Sequence, residues 1–150
     1  MKILQYIFVI VFAISFANAD YIGDKNSSVY DTSADIVWTD NNATDESNAT
    51  TFTWIAAYTY CENLDLNGST DWHLPNINQL FTLSDKTRYN PAIDITVFNN
   101  IKTDKAYWSS TTNMQNTNDA LAVDFHDGKV VSVNKSTQLY LRCFRNWGVR

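Results

Sequence analysis

Three observations in the sequence predict an α+β domain. Trp54, Ala57, Tyr58, Cys61 and Leu64 recur at helical spacing, and Asn76 with Gln79 frames the start of a second helix. From Ala106 onward, apolar and polar residues alternate around an Asp127-Gly128 turn. A strand, two helices, a long loop and then antiparallel strands is the order of an α+β domain.

The chain opens on a targeting segment. Lys2 is a short positive region, residues 3–16 are almost unbroken apolar sequence, and Ala17-Asn18-Ala19 is an A-x-A cleavage site. Residues 1–19 are therefore expected to be removed, leaving a single domain over 20–150. The apolar stretch is too short and wrongly flanked for a membrane span, and no other segment approaches the ~20 apolar residues required. No Cys follows the cleavage site, which argues against a lipid anchor. The expected route is Sec export, to the periplasm, the cell surface or the exterior.

Formal charge is −5, and loss of Lys2 takes it to −6. An acidic domain is poorly suited to nucleic acid or anionic membranes. Arg142, Arg145 and Arg150 gather near the C-terminus, either as a basic patch or, the blander reading, as solvated charges. Cys61 and Cys143 are the two cysteines. Even parity and export favour a disulfide over free thiols.

Taken in order, residues 20–33 read as polar and turn-rich, 35–39 as a short strand, and 40–51 as an exposed loop. The first helix follows, with Thr51 or Thr53 able to cap it and Cys61 on its buried stripe. Residues 66–69 end it in a turn. Leu74 is extended because Pro75 follows. Asn76 caps the second helix with Gln79 completing a capping box, and Ile77, Leu80 and Phe81 share one face. Residues 86–105 form a long irregular connection anchored by Tyr89, Pro91, Ile93, Ile95, Val97 and Phe98; such loops are commonly functional or specialised. Residues 106–111 begin the strands, and Leu121, Val123 and Phe125 alternate before the Asp-Gly turn. Val131 and Val133 resume the alternation. Leu139, Leu141 and Cys143 share the inward face of a last strand, where Cys143 can reach Cys61.

Several side chains admit a chemical reading beside a structural one. Trp72 and Trp108 suit sugar stacking, although buried core tryptophans with a satisfied indole N–H are commoner. Asp71 suits ligand contact or, more commonly, the tying of neighbouring backbone N–H groups in a turn. Asp65, Asn67, Ser69 and Asp71 alternate as oxygen ligands, but Gly68 stands fourth and no Glu follows, so a turn is favoured over an EF-hand loop. Asp40-Asn41-Asn42 with Asp45-Glu46 is an equally unspecific acidic group. No cofactor is expected; calcium stays an unsupported alternative. With His73 and His126 the sole histidines and both cysteines bridged, a structural zinc site is disfavoured. Ser109, His126 and Asp124 assemble a triad only on paper, since nothing marks an activated serine. The Asn-, Thr- and Ser-rich tracts 111–119 and 134–138 suit adaptable hydrogen bonding or plain soluble loops equally.

An ordered set of patches carries a resemblance. It comprises Trp38, Thr53-Trp54, Tyr60-Cys61 and Gly68, then Asp71-Trp72-His73-Leu74-Pro75-Asn76, Gln79-Leu80, and Asn90-Pro91-Ala92-Ile93 with Phe98. Tyr107-Trp108-Ser109-Ser110-Thr111, Val123-Asp124-Phe125 with Gly128, and Leu141-Arg142-Cys143-Phe144-Arg145 complete it. The set resembles the family typified by the C-terminal domain of the Legionella collagen-like adhesin, over about residues 29–146. The resemblance implies a C-type-lectin-like fold, shared with formylglycine-generating enzymes, and a disulfide from the first helix to the last strand. Trp54, Asp71, Trp72, Leu74, Pro75, Asn76, Tyr107, Trp108, Ser109, Ser110 and Arg142 are its structural motif residues.

The resemblance also implies a non-catalytic, adhesin-like module recognising glycan or protein. The alternatives are an assembly role in a bacterial envelope, with self-association, and more remotely an enzyme. A relative binds sulfated host polysaccharides, a preference that the acidic balance here argues against. His73 stands where the family usually has Arg, and cannot reproduce bidentate carboxylate binding. Gln79 stands where an acidic residue is common. No collagen-like triplets precede the domain in this sequence, so trimeric presentation is not implied.

Overall fold

The structure, a computed structural model, describes residues 21–23, 28–40 and 50–148. The expected signal segment 1–19, most of the 40–51 loop and Arg150 lie outside these. Strands β1 (Tyr21–Gly23), β2 (Ser28–Asp31) and β3 (Ile36–Thr39) come first, followed by helices α1 (Trp54–Glu62) and α2 (Ile77–Phe81). Strands β4 (Tyr107–Thr112), β5 (Asp119–Asp124), β6 (Lys129–Asn134) and β7 (Phe144–Asn146) complete the order. They form two antiparallel sheets, β1-β2-β3-β7 and β4-β5-β6. The α+β class is as the sequence predicts.

Strand alternation divides the core in two. Val37, Trp108, Ala120 and Ala122 join Ala57, Cys61, Trp72, Leu74, Leu141 and Cys143 around the disulfide. Their strand neighbours Trp38, Tyr107 and Val123 join Val29, Leu80, Leu83, Ile93, Phe98, Phe125 and Phe144 in a second cluster. The central strands are thus covered on both faces.

In α1, Ala57 and Cys61 are buried, whereas Tyr58 is 42% exposed, so the buried stripe is narrower than its spacing suggests. The helix stops at Glu62. Thr53 occupies the N-cap without a side-chain hydrogen bond, and the Thr51 hydroxyl donates instead to Gln138 Oε1. The helix start is held from outside, by the Trp54 N–H donating to the Lys135 carbonyl. In α2 the capping box forms as read: Gln79 N–H donates to Asn76 Oδ1 at 2.9 Å and Asn76 N–H to Gln79 Oε1 at 3.0 Å. Phe81 turns outward, beneath the Lys86 ammonium.

Three expectations are corrected. The polar stretch 20–33 contains β1 and β2; Val29 is buried against Trp38, and buried Asp31 caps the next turn by accepting from Ser33 and Ala34 N–H. Asp35 is not in β3 but sits in that turn at φ 58°. The last strand is not 139–143: β7 begins at Phe144, and the preceding residues run between the sheets.

Leu139 exchanges backbone bonds with Phe52, Tyr140 pairs with β4, and the Cys143 carbonyl accepts from Thr39 N–H. Tyr140 and Arg142 are consequently as buried as Leu139, Leu141 and Cys143, so alternation there marks no inward face. In the irregular connection, Ile93 and Phe98 anchor as expected, with Ala92, but Tyr89 and Ile95 are exposed. The turn around Gly128 spans four residues, because β5 ends at Asp124 and pairs it with Lys129. The Cys61–Cys143 disulfide joins α1 to the residue before β7, with Cα atoms 5.6 Å apart.

Candidate functional site

The motif residues converge on one structural corner. Trp72 is 2% exposed, and its indole N–H donates to the Ser69 carbonyl at 3.0 Å. Asp71 engages Arg145, Oδ2 to Nη1 at 3.6 Å, rather than nearby backbone N–H groups. His73 N–H and C=O both pair with Phe144, while its exposed ring contacts Glu62 Oε1 at 2.8 Å. Leu74 and Pro75 are buried, and the Pro75 carbonyl accepts from Ser110 N–H. The arm 71–76 therefore ties β7, β4 and both helices together.

The other motif side chains are spent internally. The Trp108 indole N–H donates to the Phe52 carbonyl at 2.8 Å, and that of Trp54 to the Ser109 carbonyl at 2.9 Å. The Tyr107 hydroxyl accepts from Lys102 N–H. The Ser109 hydroxyl donates to the Leu121 carbonyl, Asp124 accepts from its neighbour's backbone at His126, and the His126 ring packs on Tyr89. The paper triad is thus three side chains with three separate partners. The Asn-rich tracts are bonded within themselves, to Ser132 of β6 and to each other, through Asn113, Asn116, Asp119 and Asn134.

Arg142 is neither surface patch nor solvated charge. It is 1% exposed, donates Nη1 to the Thr39 carbonyl and lies 3.7 Å from Asp40. Burial pushes its guanidinium below the usual range, against the opposing pull of Tyr107 and Asp40. Asp40 is the described member of its acidic group, and it accepts from Asn99 N–H. The run 65–71 is a tight turn closed by Leu66–Ser69 bonds in both directions, with Asn67 and Gly68 at φ 55° and 73°. Among the described residues, no three His, Cys, Asp or Glu side chains gather as metal ligands.

Two recesses stand out among the described residues. A shallow, mostly apolar groove of about 640 Å³ runs along α1, past Phe52, Ile55, Tyr60 and Leu64. A more polar cleft of about 400 Å³ lies between Tyr21 of β1 and the 82–98 segment. We take the polar cleft as the candidate site, because small-molecule sites combine a recess with a few convergent polar groups.

Asp85 Oδ1 accepts from Thr87 N–H and hydroxyl, and Asp94 Oδ1 does the same for Thr96, so two Asp-x-Thr turns fix both carboxylates. Arg88 bridges them, with Nε 2.8 Å from Asp85 and Nη2 3.3 Å from Asp94. The Thr87 bonds hold the Asp85 carboxyl below its ordinary range, with Arg88 adding to the effect and partial burial opposing it. Burial, then the charges of Asp31, Asp94 and Asp85, push the Tyr21 phenol to about 12. None of these four side chains was singled out from sequence. The repeated Asp-x-Thr spacing was the available signal; Tyr21 had none.

A profile of the Lcl C-terminal domain matches residues 27–145, most of the chain. The chain belongs to the Lcl C-terminal domain family. No curated protein matches the chain significantly. Within the Lcl C-terminal domain matched here, the arm 71–76 and the disulfide form the frame, and Asp85, Arg88 and Asp94 ride on it. No helix among the described residues is long and apolar enough to cross a membrane.

Proposed function

We propose that the protein is an exported, non-catalytic binding module, adhesin-like, with a C-type-lectin-like fold, recognising glycan or protein. Membership of the Lcl C-terminal domain family is the observation that carries this reading. A disulfide-stapled frame that presents an irregular, turn-fixed segment supports it, because binding groups are usually displayed on loops held by a rigid scaffold. The periplasm, the cell surface and the exterior all suit a chain bearing that disulfide. An assembly role is the second reading, favoured by the apolar groove along α1 with Ile55 63% exposed. A glycan array with and without Ca²⁺, beside a light-scattering mass, separates them. Glycan signal from a monomer supports the module; a blank array with a defined oligomer supports assembly.

A further inference from the structure

We propose that the cleft between Tyr21 and the 82–98 segment is a saccharide subsite for one uncharged, hydroxyl-rich sugar ring. The assignment rests on the binding-module reading and deepens it. A cleft of about 400 Å³ lies within the roughly 300–1,000 Å³ span of small-molecule sites, toward the small end.

Its polar groups are fixed, yet not exhausted. Asp94 Oδ2, Arg88 Nη1 and the Tyr21 hydroxyl have no hydrogen-bond partner among the described residues, while Asp85 and Asp94 Oδ1 are locked by their threonines. One carboxylate acceptor, one guanidinium donor and one phenol that does both match adjacent ring hydroxyls, each of which donates and accepts. The phenol stays protonated at every physiological pH and is always available as a donor.

Charge selects among sugars. Two lining carboxylates outnumber one guanidinium, and Asp31 adds to the negative field at Tyr21. Sulfated and carboxylated sugars are repelled there. Cations are not demanded either, since Arg88 already stands between the carboxylates as their counter-charge. The bland alternative is a self-satisfied ionic clamp that merely shapes the loop. It accounts for Asp85, but leaves the Tyr21 hydroxyl without a purpose.

Tyr21→Phe separates the two, because it deletes only a hydroxyl that makes no hydrogen bond to the described residues. The test is an amide chemical-shift titration of the oxidised full-length protein with methyl mannoside, methyl galactoside and N-acetylglucosamine. A sulfated disaccharide and tetramethylammonium serve as charged probes. The expected result is perturbation confined to residues 82–98 and the Tyr21 strand by at least one neutral probe. Tyr21→Phe should weaken it about fivefold, the size of one hydrogen bond, with an unchanged melting temperature. Asp94→Asn, with its melting temperature monitored, provides a second reading should Tyr21→Phe disturb the fold.

Equal neutral-sugar affinity in both variants, or perturbation by charged probes alone, overturns the subsite. A glycan-array signal that survives in both variants removes the cleft assignment and leaves the binding module standing. A blank array with no cleft perturbation removes both.

Discussion

The guanidinium carbon of Arg142 lies 4.7 Å from the Phe98 ring centroid, joining the segment between the sheets to the irregular connection. Arg142 Nε and Nη2 have no acceptor, and Asp40 at 3.7 Å offsets the charge only in part. A buried ion with weak partners is often replaceable by an apolar side chain of like size. Arg142→Met, which keeps packing on Phe98, is expected to stay within about 1 kcal/mol of the parent or exceed it. Arg142→Ala should lose about 2–4 kcal/mol through the cavity it leaves. Urea unfolding of both variants decides; equal losses would show that the charge itself holds the segment.

Cys61 and Cys143 are both 0% exposed and stand 82 residues apart in sequence. Closing a loop of that length contributes about 4–5 kcal/mol in the chain-entropy model, comparable to the net stability of a small domain. Replacing both cysteines by alanine should bring the unfolding midpoint close to working conditions. An unchanged melting temperature after reduction would contradict this.

Gly68 and Gly128 share φ +73° but differ in surroundings. A Cβ at Gly68 meets nothing within 4 Å, whereas at Gly128 it meets Ala92 Cβ and Ser84 Oγ at 3.3 Å and Lys86 Nζ at 3.0 Å. Gly68→Ala is expected to cost about 1 kcal/mol from the left-handed backbone alone. Gly128→Ala should cost about 1 kcal/mol more, since backbone strain and crowding add there. Thermal unfolding of the pair checks the order.

Among the described tyrosines, Tyr21, Tyr30, Tyr60 and Tyr140 are all pushed up, Tyr21 and Tyr140 by a large margin. Burial, then its hydrogen bond to Asp104, pushes Tyr140 up to about 12, and Tyr21 reaches about 12 through burial and nearby carboxylates. A raised tyrosine pKa means the folded state holds its protons longer. The stabilisation is present in full below about pH 10, the unfolded value, and is lost as pH climbs from 10 through 12. Absorbance titration near 295 nm should show a late phenol class that shrinks by one in Tyr21→Phe. Denaturant midpoints should be level up to pH 10 and fall above it.

Legibility in the sequence followed whether a signal was local. The Asn76–Gln79 capping box spans three residues and is read directly, as are the helix carrying Cys61 and the Asp-Gly turn. Ser28 and Asp31 disguise β2 as a loop, because their burial depends on pairing with β3 and on the turn that Asp31 caps. Residues 139–143 defeat the alternation rule, because sheets on both sides bury odd and even positions alike. The cleft was illegible for a further reason: Tyr21 meets Asp85, Arg88 and Asp94 from more than sixty positions away. The loop that carries those three was visible as irregular, but its partner strand was not.

The path of residues 139–146 fixes the order in which this domain is able to close. The strand partner of β3, the main-chain partner of β4 at Tyr140 and the sulfur partner of Cys61 all lie in those eight positions. Contacts such as Thr39 with Cys143 span 104 positions, so the β1-β2-β3-β7 sheet is incomplete until that segment arrives. Contacts that distant make for slow, late-committing folding. A chain with this plan commits late, when its last described strand meets β3 and Cys143 meets Cys61.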